Sequence, residues 1–219
     1  MGCFISKTNI INKYHKYKQT QNDLKKRGFN KYNLIIGIDY SDKTLHKINT
    51  KNPYREIINC IIHTFNVFDN HIKCFGFGDI TTNNNCLPFY PIYENYKSED
   101  IIHKYDSISP YIKSMVTYNS NKFLAIITKA LEHIYYYNCH HILIIITHDN
   151  IPITPEIDNL LKKLKENLLY IIIIGVGKNN FSSYKNLIKS YNNIKFINYN
   201  KEYIKKINLA ELVFNNISL

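Results

Sequence analysis

The sequence predicts an α/β protein: a doubly wound, mostly parallel sheet with helices on both faces. Three observations predict it. Short apolar runs rich in β-branched residues, at 34–39, 72–78, 141–147, 169–175 and 194–199, read as buried strands. The segments between them carry apolar residues at helical spacing, and strands alternating with helices form parallel units with right-handed crossovers. Two of the runs lead into acids, Asp39 and Asp149, at the strand ends where ligands bind in open α/β sheets.

The elements follow in order. After the first strand and a polar loop, Pro53 stands where a helix can start, and Ile57, Ile58, Ile61, Ile62 and Phe65 form its apolar stripe. His63 reads as a helix-face residue rather than a ligand. The second strand carries Gly76 and Gly78, where backbones pack closely. Residues 83–95, with Pro88 and Pro91, read as loop. Ser98-Glu99-Asp100 opens a helix running to about Ile112. The helix over 121–137 buries Phe123, Leu124, Ile127, Leu131 and Ile134. Pro155 starts a helix over Ile157, Leu160, Leu161 and Leu164. Helices over 181–191 and 202–214 flank the last strand.

The 219 residues suffice for one domain with a tail, and 45% of them are hydrophobic. No apolar stretch reaches the roughly 18–20 residues that span a bilayer, and Phe4-Ile5 is too short for a secretory signal. The five cysteines (Cys3, Cys60, Cys74, Cys86 and Cys139) form no CxxC pair. That favours free thiols in a reducing compartment over structural zinc or a disulfide framework. Of the net charge of +11, residues 1–32 carry +7, so the sequence divides into a basic arm (1–32) and a domain (33–219). Within the arm, residues 8–31 read as a linker with a short helix near 20–27. A basic arm attracts nucleic acid or an anionic membrane. The first residues favour the membrane. Met1-Gly2-Cys3-Phe4-Ile5-Ser6 fits the N-myristoylation pattern at Gly2, and Cys3 is placed for palmitoylation. One acyl chain binds marginally, and a second chain or a polybasic stretch makes the anchor stable. The expected location is the cytoplasmic face of a membrane, the plasma membrane first, and the cytoplasm, with no nucleic-acid partner.

Asp39 is followed at i+2 by Ser41, and a hard cation such as Mg²⁺ takes such oxygen ligands from loops at one sheet edge. The bland alternative is an ordinary Asx turn. Beyond this chemistry, residues 33–199 resemble a copine-type von Willebrand factor A domain, a Rossmann-like fold. The resemblance is carried by Asn52-Pro53-Tyr54-Arg55-Glu56-Ile57-Ile58, Phe65-Asn66-Val67-Phe68-Asp69 and Cys74-Phe75-Gly76-Phe77-Gly78-Asp79-Ile80-Thr81-Thr82. Gly37-Ile38-Asp39, Phe89-Tyr90-Pro91 and Gly175-Val176-Gly177 add to it. It is similar above all to the copine domain of plant RING-domain ubiquitin ligases.

The resemblance implies a metal-ion-dependent adhesion site that holds Mg²⁺ or another divalent cation. Asp39 and Ser41 match its first two ligands, but Lys43 stands where a second hydroxyl belongs. The family's threonine falls on Asn121, with Thr117 and Ser120 nearby. Asp149 matches the last acid, although Asn150 replaces its glycine, and a gapless alignment on Thr147 puts His148 there instead. The site is thus partly degraded, and Lys43 stands as a candidate to replace the cation with its ammonium. The resemblance further implies a protein-interaction module that binds a partner's acidic residue at the metal edge, with no catalytic residue. Accessory work in protein ubiquitination is the alternative. Ligase activity follows only by family analogy, because the paired Cys/His spacings of a RING are missing from these 219 residues. No P-loop, GxGxxG or Ser-His-Asp elbow is present either.

Overall fold

The computed structural model describes residues 18–66, 72–82, 85–91, 97–114, 121–163, 168–200 and 213. The proposed lipidation sites Gly2 and Cys3, the Val67-Phe68-Asp69 part of the resemblance, Thr117 and Ser120 lie outside these residues. So does the helix expected over 202–214, apart from Val213.

Six strands form one sheet in the order β3-β2-β1-β4-β5-β6. They are β1 (Asn33–Asp39), β2 (Ile72–Phe77), β3 (Cys86–Pro88), β4 (His141–Thr147), β5 (Leu169–Gly175) and β6 (Ile194–Asn198). All pairings are parallel except β2 with β3. The short antiparallel β3 corrects the loop expected at 83–95. Its three residues are too few to show a period, and Pro88 is tolerated because the strand lies at the sheet edge.

Helices cover both faces, as the doubly wound reading requires. Residues 18–26 (α1), α2 (Pro53–Phe65) and α3 (Ser98–Ile108) belong to one layer, and α4 (Asn121–Tyr137), α5 (Pro155–Lys163) and α6 (Tyr184–Ser190) to the other. Alternation along the strands divides the core. Leu34, Ile36, Ile38, Ile142, Ile144 and Ile146 pack against the α2–α3 layer. Ile35, Leu143 and Ile145 pack against Phe123, Ile126, Ile127 and Ile157 on the other side.

Two differences from the sequence reading concern the chain's own limits. The α3 helix ends at Ile108 rather than near Ile112: Ser109 still has helical backbone, but Pro110 has no N–H to continue the i→i−4 ladder, and a 3-10 turn (Ser109–Tyr111) follows. The division at 32/33 does not separate a free arm from a domain along its whole length. Leu24, Phe29 and Tyr32 are buried in the core of the α2–α3 layer, and Gln21 donates to the carbonyl of His63 at 2.8 Å. These anchors fix residues 18–32 to the domain.

Candidate functional site

β1 and β4 lie side by side in parallel register, Ile38 opposite Ile146, so Asp39 and Thr147 leave the sheet as neighbours. The chain after β1 runs to α2 on one face, and the chain after β4 runs to α5 on the other. Loops parting in opposite directions open a crevice at the carboxyl edge, the switch point of an open α/β sheet.

Asp39 is the centre of this crevice and is fully buried. Its Oδ1 accepts from the backbone N–H of Ser41 at 3.1 Å and from Ser41 Oγ at 2.6 Å. Its Oδ2 accepts from Thr147 Oγ1 at 2.6 Å, and Thr147 Oγ1 in turn accepts from the N–H of Asp149 at 3.0 Å. Thr147 therefore links the two acids. Gly78, at φ +87°, is required beside them: a Cβ there would lie 2.7 Å from Asp39 Oδ1 and 3.1 Å from Lys122 Cδ.

The cation of this cluster is Lys122. Its side chain is 2% exposed. Its Nζ donates to Asp149 Oδ2 at 2.5 Å, Ser41 Oγ at 2.8 Å and Asp39 Oδ2 at 3.0 Å, with Asp39 Oδ1 at 3.3 Å. An ammonium has three N–H donors, and these three oxygens take them. Burial by itself raises the Asp39 pKa. The Lys122 ammonium foremost, then His148 and the hydroxyls of Ser41 and Thr147, outweighs it and holds the carboxyl below the ordinary aspartate value.

Asp39, Ser41 and Asp149 thus converge as the sequence suggested. Lys43 does not join them. Asp42 caps the 3-10 turn Lys43–His46 by accepting from the N–H of Thr44 at 2.9 Å, and the turn leaves Lys43 exposed. Asn121 is exposed at the first position of α4, and it is the next residue that points inward. The signal was legible: Lys122 precedes Ile126, Ala130 and His133 on one helical stripe, and all four are buried. Of the expected stripe, Phe123, Ile127 and Ile134 are buried, whereas Leu124 and Leu131 are only partly so. The two alignments of the last acid resolve into a pair. Asp149 takes the Lys122 contact, and His148 Nε2 lies 3.4 Å from Asp149 Oδ1, with Nδ1 3.9 Å from Asp39 Oδ2. Asn150 ties the loop to the chain before α6: its amide donates to the carbonyl of Asn180 at 2.7 Å.

A second layer steadies the β1 end. His46, 1% exposed, sits with Nε2 3.0 Å from the Asp39 carbonyl and Nδ1 2.8 Å from Tyr105 Oη. A carbonyl only accepts, so the neutral ring donates from Nε2 and keeps Nδ1 as an acceptor facing the Tyr105 hydroxyl, which also donates to Asn52 Oδ1 at 3.2 Å. Burial lowers the His46 pKa to about 4, against the opposing pull of the Asp39 carbonyl and carboxylate. Asn52, buried at the N-cap of α2, accepts from the N–H of Arg55 at 2.9 Å.

The family model named Copine matches residues 44–209. The chain belongs to the copine family. Two Arabidopsis thaliana proteins are similar to this copine chain. E3 ubiquitin-protein ligase RGLG3 is 26% identical over 227 residues, covering 88% of this chain and 61% of the relative. E3 ubiquitin-protein ligase RGLG5 is 25% identical over 238 residues, covering 93% and 54%. The copine chain therefore spans little more than half the length of these relatives. Solved structures agree on the fold. Manganese-loaded Plasmodium vivax TRAP protein gives a TM-score of 0.57 at 12% identity, covering 83% of this chain and 74% of that one. A von Willebrand factor type A protein from Catenulispora acidiphila gives 0.51 at 13% identity, covering 84% and 42%.

Proposed function

We propose that this copine chain is a membrane-anchored protein-interaction module that works through its carboxyl edge without catalysis. The observation that carries the reading is the bonding of Ser41. Its hydroxyl donates to Asp39 and receives a bond from Lys122, so the lysine is not placed to take its proton. A nucleophile needs an effective base aimed at it, and the acceptor at Ser41 is the Asp39 carboxylate, a weak base because the Lys122 ammonium, His148 and the hydroxyls hold its pKa below the ordinary value. What the edge does offer is a rigid, partly exposed polar rim: Asp149 is 21% exposed, and Ser41 and His148 are partly exposed beside it.

The anchor is the acylated Gly2, with Cys3 and the basic arm reinforcing it. No helix among the described residues is long and apolar enough to cross a membrane. A second reading, accessory work in protein ubiquitination, is favoured by relatives that carry the name of E3 ubiquitin-protein ligases.

One experiment tests both halves. The full chain is expressed with a photo-cross-linking residue at Thr44, exposed beside the edge, or at Tyr135, 93% exposed near the far end of α4. Wild type is expected in the membrane fraction and Gly2→Ala in the soluble fraction. Discrete adducts are expected from position 44 and not from 135, and a RING-type ligase among them would support the second reading. An unchanged distribution of Gly2→Ala contradicts the anchor. Absence of adducts from position 44 contradicts the interaction edge.

A further inference from the structure

We infer that Lys122 is a built-in replacement for the divalent cation of this fold, so the edge is metal-independent, and that shortening Lys122 creates a divalent-cation site from the groups it now neutralises. The inference deepens the reading of the edge as an interaction site, but its test reads metal alone and needs no partner.

The geometry comes first. Nζ already occupies the space between Asp39, Ser41 and Asp149. A divalent ion bound by the same oxygens would sit against an ammonium, and the like charges would repel at close range in a buried setting. The residues present therefore do not fit a metal while Lys122 points inward, although the same fold is manganese-loaded in TRAP.

The cost of the lysine points the same way. Lys122 lies in the first turn of α4, where the helix macrodipole disfavours a cation. Burying an ammonium is itself strongly unfavourable unless it is paired and hydrogen-bonded. Both penalties are offset chiefly by the two carboxylates, which would otherwise repel one another, with the Ser41 hydroxyl as a further acceptor. The lysine and the acids are thus one unit, just as a metal and its ligands would be.

The consequence concerns how a partner binds. A metal retains open coordination positions that a ligand's carboxylate can enter. The three donors of Lys122 are all directed inward, and two carboxylates against one ammonium leave the cluster with net negative charge when His148 is neutral. Among the described residues, the acidic partner expected from the resemblance meets no open cation in this cluster. Removing the ammonium would leave the carboxylates of Asp39 and Asp149, the hydroxyls of Ser41 and Thr147, and His148. Ligand atoms of Asp39, His148 and Asp149 all lie within 4.8 Å of one another. That set of oxygens with one imidazole suits Mn²⁺.

The test is Mn²⁺ binding, followed by electron paramagnetic resonance and by melting temperature in Mn²⁺ or EDTA, on the wild type, Lys122→Ser and Lys122→Met. Wild type is expected to bind no Mn²⁺ at the edge and to melt alike in both. Lys122→Ser is expected to bind Mn²⁺ and to melt higher in it by mass action, reversibly with EDTA. Lys122→Met keeps the stem in the way and is expected to gain nothing. If Lys122→Ser folds only when Mn²⁺ is present, that is the gained response in its strongest form. Mn²⁺ binding by the wild type that Asp149→Asn abolishes overturns the inference, as does a folded Lys122→Ser that ignores the metal. Where Lys122→Ser folds under neither condition, no metal site has been created and the second half of the inference fails.

Discussion

Replacing Lys122 with methionine is expected to destabilise the domain by about 3–5 kcal/mol, the usual result of removing one member of a buried ion pair. For a chain of this size that lowers the melting temperature by roughly 10 °C. Methionine keeps most of the apolar stem beside Gly78, so little of the loss comes from packing. The loss arises because Asp39, fully buried, and Asp149 face each other without the ammonium that bonds to both. Two comparisons isolate that cause. Adding Asp149→Asn to Lys122→Met removes one uncompensated charge and should restore part of the stability. Lys129→Met, which breaks the solvent-exposed pair with Glu132, should change stability by no more than about 1 kcal/mol. Denaturant unfolding of the four proteins decides it. A Lys122→Met protein as stable as the wild type would mean that the cluster is held together by something other than its lysine.

The second large effect is loss of stability in mild acid. His46 is neutral in the folded protein, with a pKa lowered to about 4 by burial, whereas in the unfolded chain it titrates near 6.5. Between these values the unfolded chain holds a proton that the folded chain does not. Stability is therefore full above about pH 6.5, falls as the pH drops, and loses its His46 contribution entirely below about pH 4. The shift corresponds to about 3 kcal/mol for His46 alone. His133, buried against Phe75, is also lowered to about 4 and acts in the same direction. The Asp39 carboxyl, held below its ordinary value, adds its loss only at still lower pH. Urea midpoints measured from pH 7.5 to 4.5 should fall steadily, and His46→Gln should flatten the slope while lowering stability at pH 7.5. A stability profile that stays level from pH 7 to 5 would contradict the neutral, buried ring.

The expectations that held and failed did so for different physical reasons. The parallel strands were legible because β1, β4 and β5 are buried on both faces, and such strands must be apolar nearly throughout. Strand β3 was not, because pairing along β2 rather than composition makes it a strand. Leu24, Phe29 and Tyr32 are spaced across a helix and a turn within a basic segment, so no single period announced that they are buried. At the site, Asp39, Ser41 and Asp149 were legible from their places at strand ends. The sequence points to Lys43 as the compensating lysine because that position lies in the loop that matches the family's metal site. Loop spacing does not fix where a side chain points, and the Asp42 cap turns Lys43 to solvent. Helical spacing does, and it places Lys122 on the buried stripe of α4. A charged residue on an apolar stripe is the more informative signal, since burial of a lysine requires partners.

The central claim is that an ammonium stands in the place of the metal. Anomalous diffraction from crystals of the wild-type chain grown in Mn²⁺ tests it most directly. The account predicts no manganese peak between Asp39 and Asp149, with Lys122 Nζ bonded to Asp39, Ser41 and Asp149. A manganese peak coordinated by Asp39 and Ser41, with Lys122 swung out of the crevice, would contradict it.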